Sequence, residues 1–226
     1  MADTHSAVLE HSPDLQHHFD DMHQQFDSAT LGMWVFLLTE IMFFGGMFAA
    51  YTIYRGLYPG AFASTSKHIA TWLGATNTAV LICSSLTMAL AVRSAQLGQR
   101  KLLIWMLILT MIFGLAFLGV KAVEYHDKYV EHLIPGWDFQ YEEDPQYWHQ
   151  AQILFFLYFA MTGFHALHMI VGVGILTTLL VMAMRNRFSP AWYTPVEISG
   201  LYWHFVDIVW IFLFPLLYLI GLHAHK

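Results

Sequence analysis

The chain has 226 residues, of which 57% are hydrophobic and 12% charged, and its mean hydropathy of +0.49 lies outside the range of ordinary soluble domains. The net charge is −6 and no basic run is present, so binding to nucleic acid has no electrostatic support. Cys83 is the only cysteine, which excludes an internal disulfide and any site built from several thiolates. The composition is that of an integral membrane protein.

Residues 1–30 form a polar arm that contains no lysine or arginine. The arm lacks the positive start and the early apolar run of a secretory signal. It holds five histidines whose spacing does not repeat, so two interpretations stay open: a metal-binding segment and a solvated arm. The histidines are His5, His11, His17, His18 and His23.

Five apolar segments follow, each close to or above the roughly 20 residues that a helix needs to cross the hydrocarbon core. The polar connections are too short and too irregular to form independent domains, and no internal repeat of the kind found in secondary transporters is present. We therefore predict an all-α integral membrane protein, a bundle of five transmembrane helices over residues 31–226. The predicted spans are 31–54, 69–92, 102–125, 151–184 and 198–222.

An odd number of spans places the two termini on opposite sides of the membrane. The loop over 93–101 is the most densely basic connection, so the positive-inside rule favours a cytoplasmic N-terminus and a periplasmic C-terminus. The acidic and aromatic loop over 126–150 then lies outside. It is either an interfacial aromatic belt with solvated acids or a docking edge for a basic soluble partner.

Ionisable side chains lie inside four of the predicted spans, and those of the first, fourth and fifth spans form one candidate cluster. A charged residue at the centre of a bilayer costs about 2.5–3.5 kcal/mol, so such residues normally face protein or water and have partners there. His204 and Asp207 are three residues apart, which predicts that they pair on one helical face. The depths of these groups along their helices predict that they meet at one level of the bundle. The cluster comprises Glu40, His165, His168, His204 and Asp207.

Three interpretations of this cluster stay open. Paired histidines on helices are common ligands of metals and haem. A lone glutamate in an apolar helix is a candidate for a proton path. The third interpretation is a network of interhelical hydrogen bonds that fixes packing, each worth about 0.6–2 kcal/mol in a membrane. We favour the third, because the spacing alone does not build a set of converging ligands.

Other patterns indicate contacts between helices. Lys121 and Glu124 are spaced for an i, i+3 salt bridge, which we interpret as a structural clamp near the outer end of the third span rather than a transport site. Trp203 and Trp210 belong to an aromatic stripe on the fifth span that should face protein. Small residues four apart on the first span, beginning at Gly45, predict close helix approach.

The most distinctive stretches of the sequence are four motifs spread over most of residues 31–222. They are TEIMFFGGMFAAY with Glu40, KAVEY at the end of the third span, TGFHALHMIVG with His165 and His168, and EISGLYWHFVDIVW with Glu197, Trp203, His204, Asp207 and Trp210. In their order and length they resemble subunit III of the haem-copper respiratory oxidases, the accessory subunit of cytochrome c oxidase.

The resemblance implies a non-catalytic subunit of a proton-pumping terminal oxidase that stabilises the catalytic subunit, binds lipid and supports proton uptake. It implies no catalytic residue, metal site or cofactor in this chain, because the family's haems and copper belong to the partner subunits. The partners implied are oxidase subunit I as the main contact, other oxidase subunits and bound phospholipid. Many family members have seven spans, and the first two, which form a lipid cleft with the rest, have no counterpart among the five predicted here.

The resemblance also implies roles for single residues. Glu40 corresponds to the family's buried glutamate near lipid, and Arg185 to a basic residue that meets a lipid phosphate. The family's counterparts of the polar residues on the fourth and fifth spans serve helix packing and lipid contact, and none ligates a metal. These residues are His165, His168, His204 and Asp207, with Trp203, Trp210 and Glu197 as packing positions.

Two alternatives remain beside a cytochrome c oxidase subunit. Quinol oxidases and nitric oxide reductases employ similar five-span subunits, and the sequence does not select the electron donor. A free-standing membrane transporter is a more distant alternative, because repeats and broken helices are lacking. We expect the bacterial plasma membrane as the location in preference to the inner mitochondrial membrane.

Overall fold

The computed structural model describes residues 15–65, 71–136, 139, 141 and 145–218, and these residues contain no β-strand. Five of the described helices are long and apolar enough to cross a membrane, all except the short α2. The predicted fold class, an all-α membrane bundle with five spans, is therefore confirmed. The helices are α1 (Met22–Leu57), α2 (Pro59–Thr65), α3 (Thr71–Gln96), α4 (Arg100–Val130), α5 (Trp148–Met184) and α6 (Thr194–Tyr218).

Several helices extend beyond the predicted spans. α1 begins at Met22 rather than near residue 31, because the Asp21 carboxylate accepts a hydrogen bond from the Gln24 backbone N–H over 2.7 Å and caps the helix. The end of the predicted arm is thus continuous with the first span. His5 and His11, part of the loop over 126–150 and the predicted end of the fifth span lie outside the described residues.

Two connections lie side by side at one end of the bundle. Gly98, between α3 and α4, has a φ of +68°, a conformation that glycine adopts without steric cost. A Cβ at this position would lie 3.0 Å from Pro190 in the connection between α5 and α6. Arg100 donates to the carbonyl of Ala183 over 3.0 Å and to that of Met184. These carbonyls belong to the last turn of α5, where the Ala183 oxygen also accepts from the Asn186 backbone N–H over 3.1 Å.

α6 lies at the centre of the packing, in contact with α1, α3 and α5, and is the most buried of the five spanning helices. The indole of Trp203 fills the space between α6 and its neighbours. A Cβ added at Gly114 of α4 or at Gly172 of α5 would lie 2.8 Å from this ring. The Trp203 N–H donates to Ser84 Oγ of α3 over 3.0 Å. A single side chain therefore contacts three other helices, and the two glycines make room for it.

The rest of the aromatic stripe on α6 also faces protein. Trp210 is buried, stacks edge-on against Phe117 of α4 with 4.8 Å between ring centroids, and donates its N–H to Thr78 Oγ1 over 3.1 Å. The close approach expected at the first span is not seen among the described residues, where a Cβ added at Gly45 or Gly46 would meet nothing within 4 Å. That face of α1 is open, and the close packing occurs around α6 instead.

Candidate functional site

Glu40 of α1 and His168 of α5 form a direct contact inside the bundle. Glu40 Oε2 lies 3.0 Å from His168 Nε2, and the two side chains are 18% and 16% exposed. The ring of Phe44, one turn further along α1, lies 5.5 Å from the imidazole and covers it edge-on. The contact therefore joins α1, the most exposed of the spanning helices, to α5 through a polar pair that apolar groups shield.

The contacts of His168 restrict the positions of the hydrogens on its ring. Nδ1 is 2.7 Å from the carbonyl oxygen of Phe164, which can only accept, so Nδ1 carries a hydrogen. A contact of 3.0 Å between Nε2 and a carboxyl oxygen requires another hydrogen between them. The pair is thus either imidazolium with carboxylate or imidazole with carboxylic acid. Chemically, this pair can hold one proton and move it between two atoms without separating.

His165 lies one turn before His168 but in a different environment. It is 1% exposed, and neither ring nitrogen has a hydrogen-bond partner among the described residues. Its neighbours are the rings of Phe117 and Trp210, at centroid distances of 5.3 and 5.2 Å. Because an aromatic enclosure offers no second ligand, His165 is poorly placed to hold a metal.

The predicted pair of His204 and Asp207 does not form. His204 Nδ1 lies 2.7 Å from Ser85 Oγ of α3 instead. Asp207 is 3% exposed, and both of its carboxyl oxygens lack a hydrogen-bond partner among the described residues. Ser85 lines the same cavity as His204 and Asp207. The three-residue spacing places both side chains on the same part of α6, but they form no hydrogen bond with each other.

The five cluster residues therefore do not form one network. Glu40 bonds with His168, His204 bonds with Ser85, and the other two have no partner among the described residues. No hydrogen bond or ion pair between described residues links the Glu40–His168 pair to His165, to Asp207 or to the His204–Ser85 pair. The prediction of a single convergent site is wrong in this respect, because Glu40 and His168 join α1 to α5, whereas His204 and Asp207 line a cavity between α3 and α6.

The most extensive polar network of the described residues is centred on Lys121 and Glu124 of α4. Lys121 Nζ lies 2.9 Å from Glu124 Oε2, and both side chains are 3% exposed. Nζ also donates to the hydroxyls of Tyr158 and Tyr218, over 3.2 and 2.8 Å. These hydroxyls donate in turn to Glu124 Oε1, over 2.6 and 2.7 Å. The two charges thus compensate each other inside the bundle, with every ammonium hydrogen used.

Aromatic rings enclose the ammonium group of Lys121. Four ring centroids lie 5.2–5.6 Å from Nζ, within the range of cation–π attraction. The network joins α4, α5 and α6, and it is buried among these three helices rather than exposed at the membrane interface. Its geometry is closed, so it holds the helices together and offers no open position to a ligand. The rings belong to Tyr125, Tyr158, Trp210 and Tyr218.

Sequence reasoning did not identify Tyr158 and Tyr218 as members of this network. They lie 34 and 94 positions from Glu124, and tyrosine is common at membrane interfaces for other reasons. The available signal was the presence of two hydroxyl-bearing rings in apolar helices near a charged pair. That signal does not indicate which helices lie next to α4.

The remaining predicted residues lie at the ends of helices. Arg185 follows α5 directly and is exposed, at the end of the bundle where Arg100 also lies. Glu197 is in the first turn of α6, and its Oε2 is buried without a hydrogen-bond partner in the described part of the chain. Within the same residues, no group of three or more histidine, cysteine, aspartate or glutamate side chains is arranged to hold a metal ion.

Comparison with known proteins places the chain in one family. The profile of the family described as cytochrome c oxidase subunit III matches residues 15–222, which include all five spanning helices. The cytochrome c oxidase subunit 3 of Thermostichus vulcanus is 31% identical over 89% of this chain and 92% of its own length. That of Gallus gallus is 30% identical over 83% of this chain and 67% of its own length. The cytochrome bo(3) ubiquinol oxidase subunit 3 of Pseudomonas putida is 28% identical over 88% and 89%.

Proposed function

This chain belongs to the cytochrome c oxidase subunit III family, and from that premise we propose that it is a non-catalytic accessory subunit of a proton-pumping haem-copper oxidase that reduces oxygen to water. The observation that carries the proposal is the family match over 15–222, which spans the complete five-helix bundle. The closed geometry of the Lys121 network and the enclosed His165 support a structural role, because neither presents reactive groups to a substrate.

We propose that the haems and copper reside in partner subunits and that subunit I is the main contact of this chain. The described residues offer no grouped metal ligands, which supports this division of labour. The chain, once separated from its partners, is expected to show no Soret band and no stoichiometric copper. A Soret band in the separated chain would contradict the proposal.

Lipid binding is part of the proposed role. A cavity of about 490 Å³ lies between α1 and α6 and is open to the membrane, with a lining that is almost entirely apolar. Its walls include Leu37 and Phe44 of α1 and Phe205 and Phe212 of α6. An acyl chain suits such a surface because it needs no hydrogen bonds. Arg185, exposed at the end of α5, is the proposed contact for a lipid phosphate.

Support of proton uptake is the second part of the proposed role. Glu40 Oε2 and His168 Nε2 lie 3.0 Å apart in a contact that apolar groups shield, and we expect loss of this contact to alter the packing of α1 against α5. The effect on the catalytic subunit would be indirect, through the position of α1 and the lipid beside it. Proton uptake would then become less durable, rather than impossible, without the pair.

The electron donor leaves two candidates. The family profile and the Thermostichus vulcanus relative carry the name cytochrome c oxidase, which favours cytochrome c. The Pseudomonas putida relative is named for a ubiquinol oxidase and favours quinol. We place cytochrome c first. Oxidation of reduced cytochrome c and of a quinol by the purified complex, measured side by side, separates the two.

We propose the bacterial plasma membrane as the location, with a cytoplasmic N-terminus. The connections after α3 and after α5 are adjacent at one end of the bundle; Arg100 begins α4 directly after the first, and Arg185 and Arg187 lie in the second. A shared basic side is what the positive-inside rule requires of cytoplasmic loops.

Co-purification tests the central proposal. An affinity tag on this chain, expressed in its native host and solubilised in a mild detergent, should recover haem-bearing subunits with an oxidase spectrum. The matched control is the same host with the tag on an unrelated multi-span protein. Recovery of the tagged chain alone, under conditions in which the oxidase itself stays active, would overturn the proposal.

A further inference from the structure

A polar cavity opens sideways from the middle of the bundle, between α3 and α6. It has a volume of about 300 Å³ and is distinct from the apolar cavity between α1 and α6. Three polar residues line it, Ser85, His204 and Asp207, and the rest of the lining is aliphatic or alanine. Asp207 is the important member, because both carboxyl oxygens are buried and lack a partner among the described residues.

A carboxyl group without partners is costly at this depth. Asp207 lies about 20 Å along α6 from Thr194, close to the middle of a hydrocarbon core about 30 Å thick. A carboxyl needs hydrogen bonds there whether it is ionised or protonated. The hydrogen bonding of Asp207 is therefore incomplete among the described residues.

The position of Asp207 decides among the possible occupants. A lipid headgroup stays at the membrane surface, roughly 15 Å away. An acyl chain reaches the cavity but has no hydrogen-bonding atoms. The side chain of another transmembrane helix both reaches this depth and carries donors, which is how polar residues inside membranes are normally satisfied.

The surface around the cavity has the form that receives a helix. Ile82 and Leu86 are one turn apart on α3, and Ile208 lies opposite on α6; these side chains are 56%, 61% and 50% exposed. Rows of residues four apart on two neighbouring helices form ridges with a groove between them, into which a third helix packs.

We propose that this groove docks a transmembrane helix of another oxidase subunit, which places a hydrogen-bond donor opposite the Asp207 carboxyl. The donor is a hydroxyl, amide, indole, imidazole or cationic side chain at mid-membrane depth. Ser85 Oγ lies 2.7 Å from His204 Nδ1, and neither Asp207 oxygen has a hydrogen-bond partner among the described residues. The proposal rests on the proposed function, since it takes the partner from the same complex.

Photo-cross-linking in the assembled complex tests the docking face. Benzoylphenylalanine is placed at Leu86 on the rim of the groove and, as a matched control, at Leu115, which is 52% exposed at mid-height of α4 but does not line the cavity. The expected product from Leu86 is a cross-link to a transmembrane helix of a different subunit, at most about one turn from a polar side chain. Cross-links only to lipid, or only to a second copy of this chain, would overturn the proposal, as would the absence of any product from Leu86.

Substitution of Asp207 tests the hydrogen bond itself. In the Asp207→Leu variant we expect retention of the chain in the complex, measured against detergent concentration, to weaken about 3- to 20-fold, the range of single hydrogen bonds between helices. If the donor is neutral, retention of the Asp207→Asn variant should stay near that of wild type. If the donor is cationic, its retention should fall to that of Asp207→Leu. Equal retention of all three proteins would refute the proposal.

Two features keep this test independent of other failures. If Asp207→Leu does not accumulate, the Leu86 cross-link in the wild-type and Asp207→Asn backgrounds still gives the answer. If the tagged chain recovers haem-bearing subunits but Leu86 cross-links to none of them, the docking face is wrong while the proposed function stands. If no haem-bearing subunit is recovered at all, the proposed function fails first.

Discussion

Tyr218 and Glu124 lie 94 positions apart in the chain, yet the Tyr218 hydroxyl donates to Glu124 Oε1 over 2.7 Å. Tyr158 donates to the same oxygen over 2.6 Å. One carboxyl oxygen therefore holds α5 and the end of α6 against α4, while the other oxygen pairs with Lys121. The network can be tested at each of its members.

The Tyr218→Phe substitution should destabilise the protein by about 1–3 kcal/mol, because it removes a hydroxyl that both donates to Glu124 and accepts from Lys121 while the ring stays in place. The free energy of unfolding in a detergent titration measures the effect. Tyr129→Phe is the control, since Tyr129 is 67% exposed and should change stability by less than about 0.5 kcal/mol. Equal effects of the two substitutions would contradict the network.

Removing one charge of the buried Lys121–Glu124 pair should destabilise the protein more than removing both charges. Glu124→Gln and Lys121→Met each leave one buried charge without its counter-charge, a loss of about 3–5 kcal/mol, whereas the double variant should be more stable than either single one. Asp27→Asn is the control: the His23 and Asp27 side chains of the pair on α1 are 84% and 61% exposed, so about 1 kcal/mol or less is expected. Additive losses in the double variant would show that the two charges do not interact.

Gly114→Ala and Gly172→Ala should each destabilise the bundle by about 1–3 kcal/mol, because a methyl group would lie 2.8 Å from the rigid indole of Trp203. Each helix supplies its own control. Gly119→Ala on α4 and Gly174→Ala on α5 have nothing within 4 Å and should be neutral or slightly stabilising. Thermal stability in detergent compares the four variants. If all four behave alike, the fit around Trp203 does not determine stability.

Glu40→Gln should leave the initial oxidase rate nearly unchanged, because the amide can still donate to His168 Nε2 and keep α1 against α5. Glu40→Leu, which leaves His168 without this partner, should shorten the active lifetime of the oxidase toward that of a complex lacking the whole subunit. Oxygen consumption followed through many turnovers measures both. Loss of proton pumping in Glu40→Gln, with normal assembly and lipid content, would instead make the glutamate an obligatory proton carrier.

The loops after α4 and after α5 should lie on opposite sides of the membrane, the latter in the cytoplasm. With Cys83 replaced by serine, a cysteine is introduced at Gly136 or at Arg187, both exposed. A membrane-impermeant thiol reagent added to sealed right-side-out vesicles should label Gly136→Cys and spare Arg187→Cys. Labelling of both positions from the same side would contradict the five-span topology.

The sequence by itself determined the membrane class, the number of spans and the family. Long apolar segments can satisfy their backbone hydrogen bonds in lipid only as helices, so composition and length led directly to the five-helix bundle. The ion pair of Lys121 and Glu124 was also predictable, because its two members are neighbours on one helix.

Which polar groups contact each other depends on how the helices pack in the folded protein. Spacing determines the face of a helix on which a residue lies but not the helix that packs against that face. Glu40 contacts His168, His204 contacts Ser85, and Asp207 has no hydrogen-bond partner among the described residues. For the same reason, the contacts of Tyr158 and Tyr218 with Glu124 could not be predicted from the sequence. In the apolar interior of a membrane bundle each polar atom must find a partner at short range, and that partner is set by which helices are neighbours.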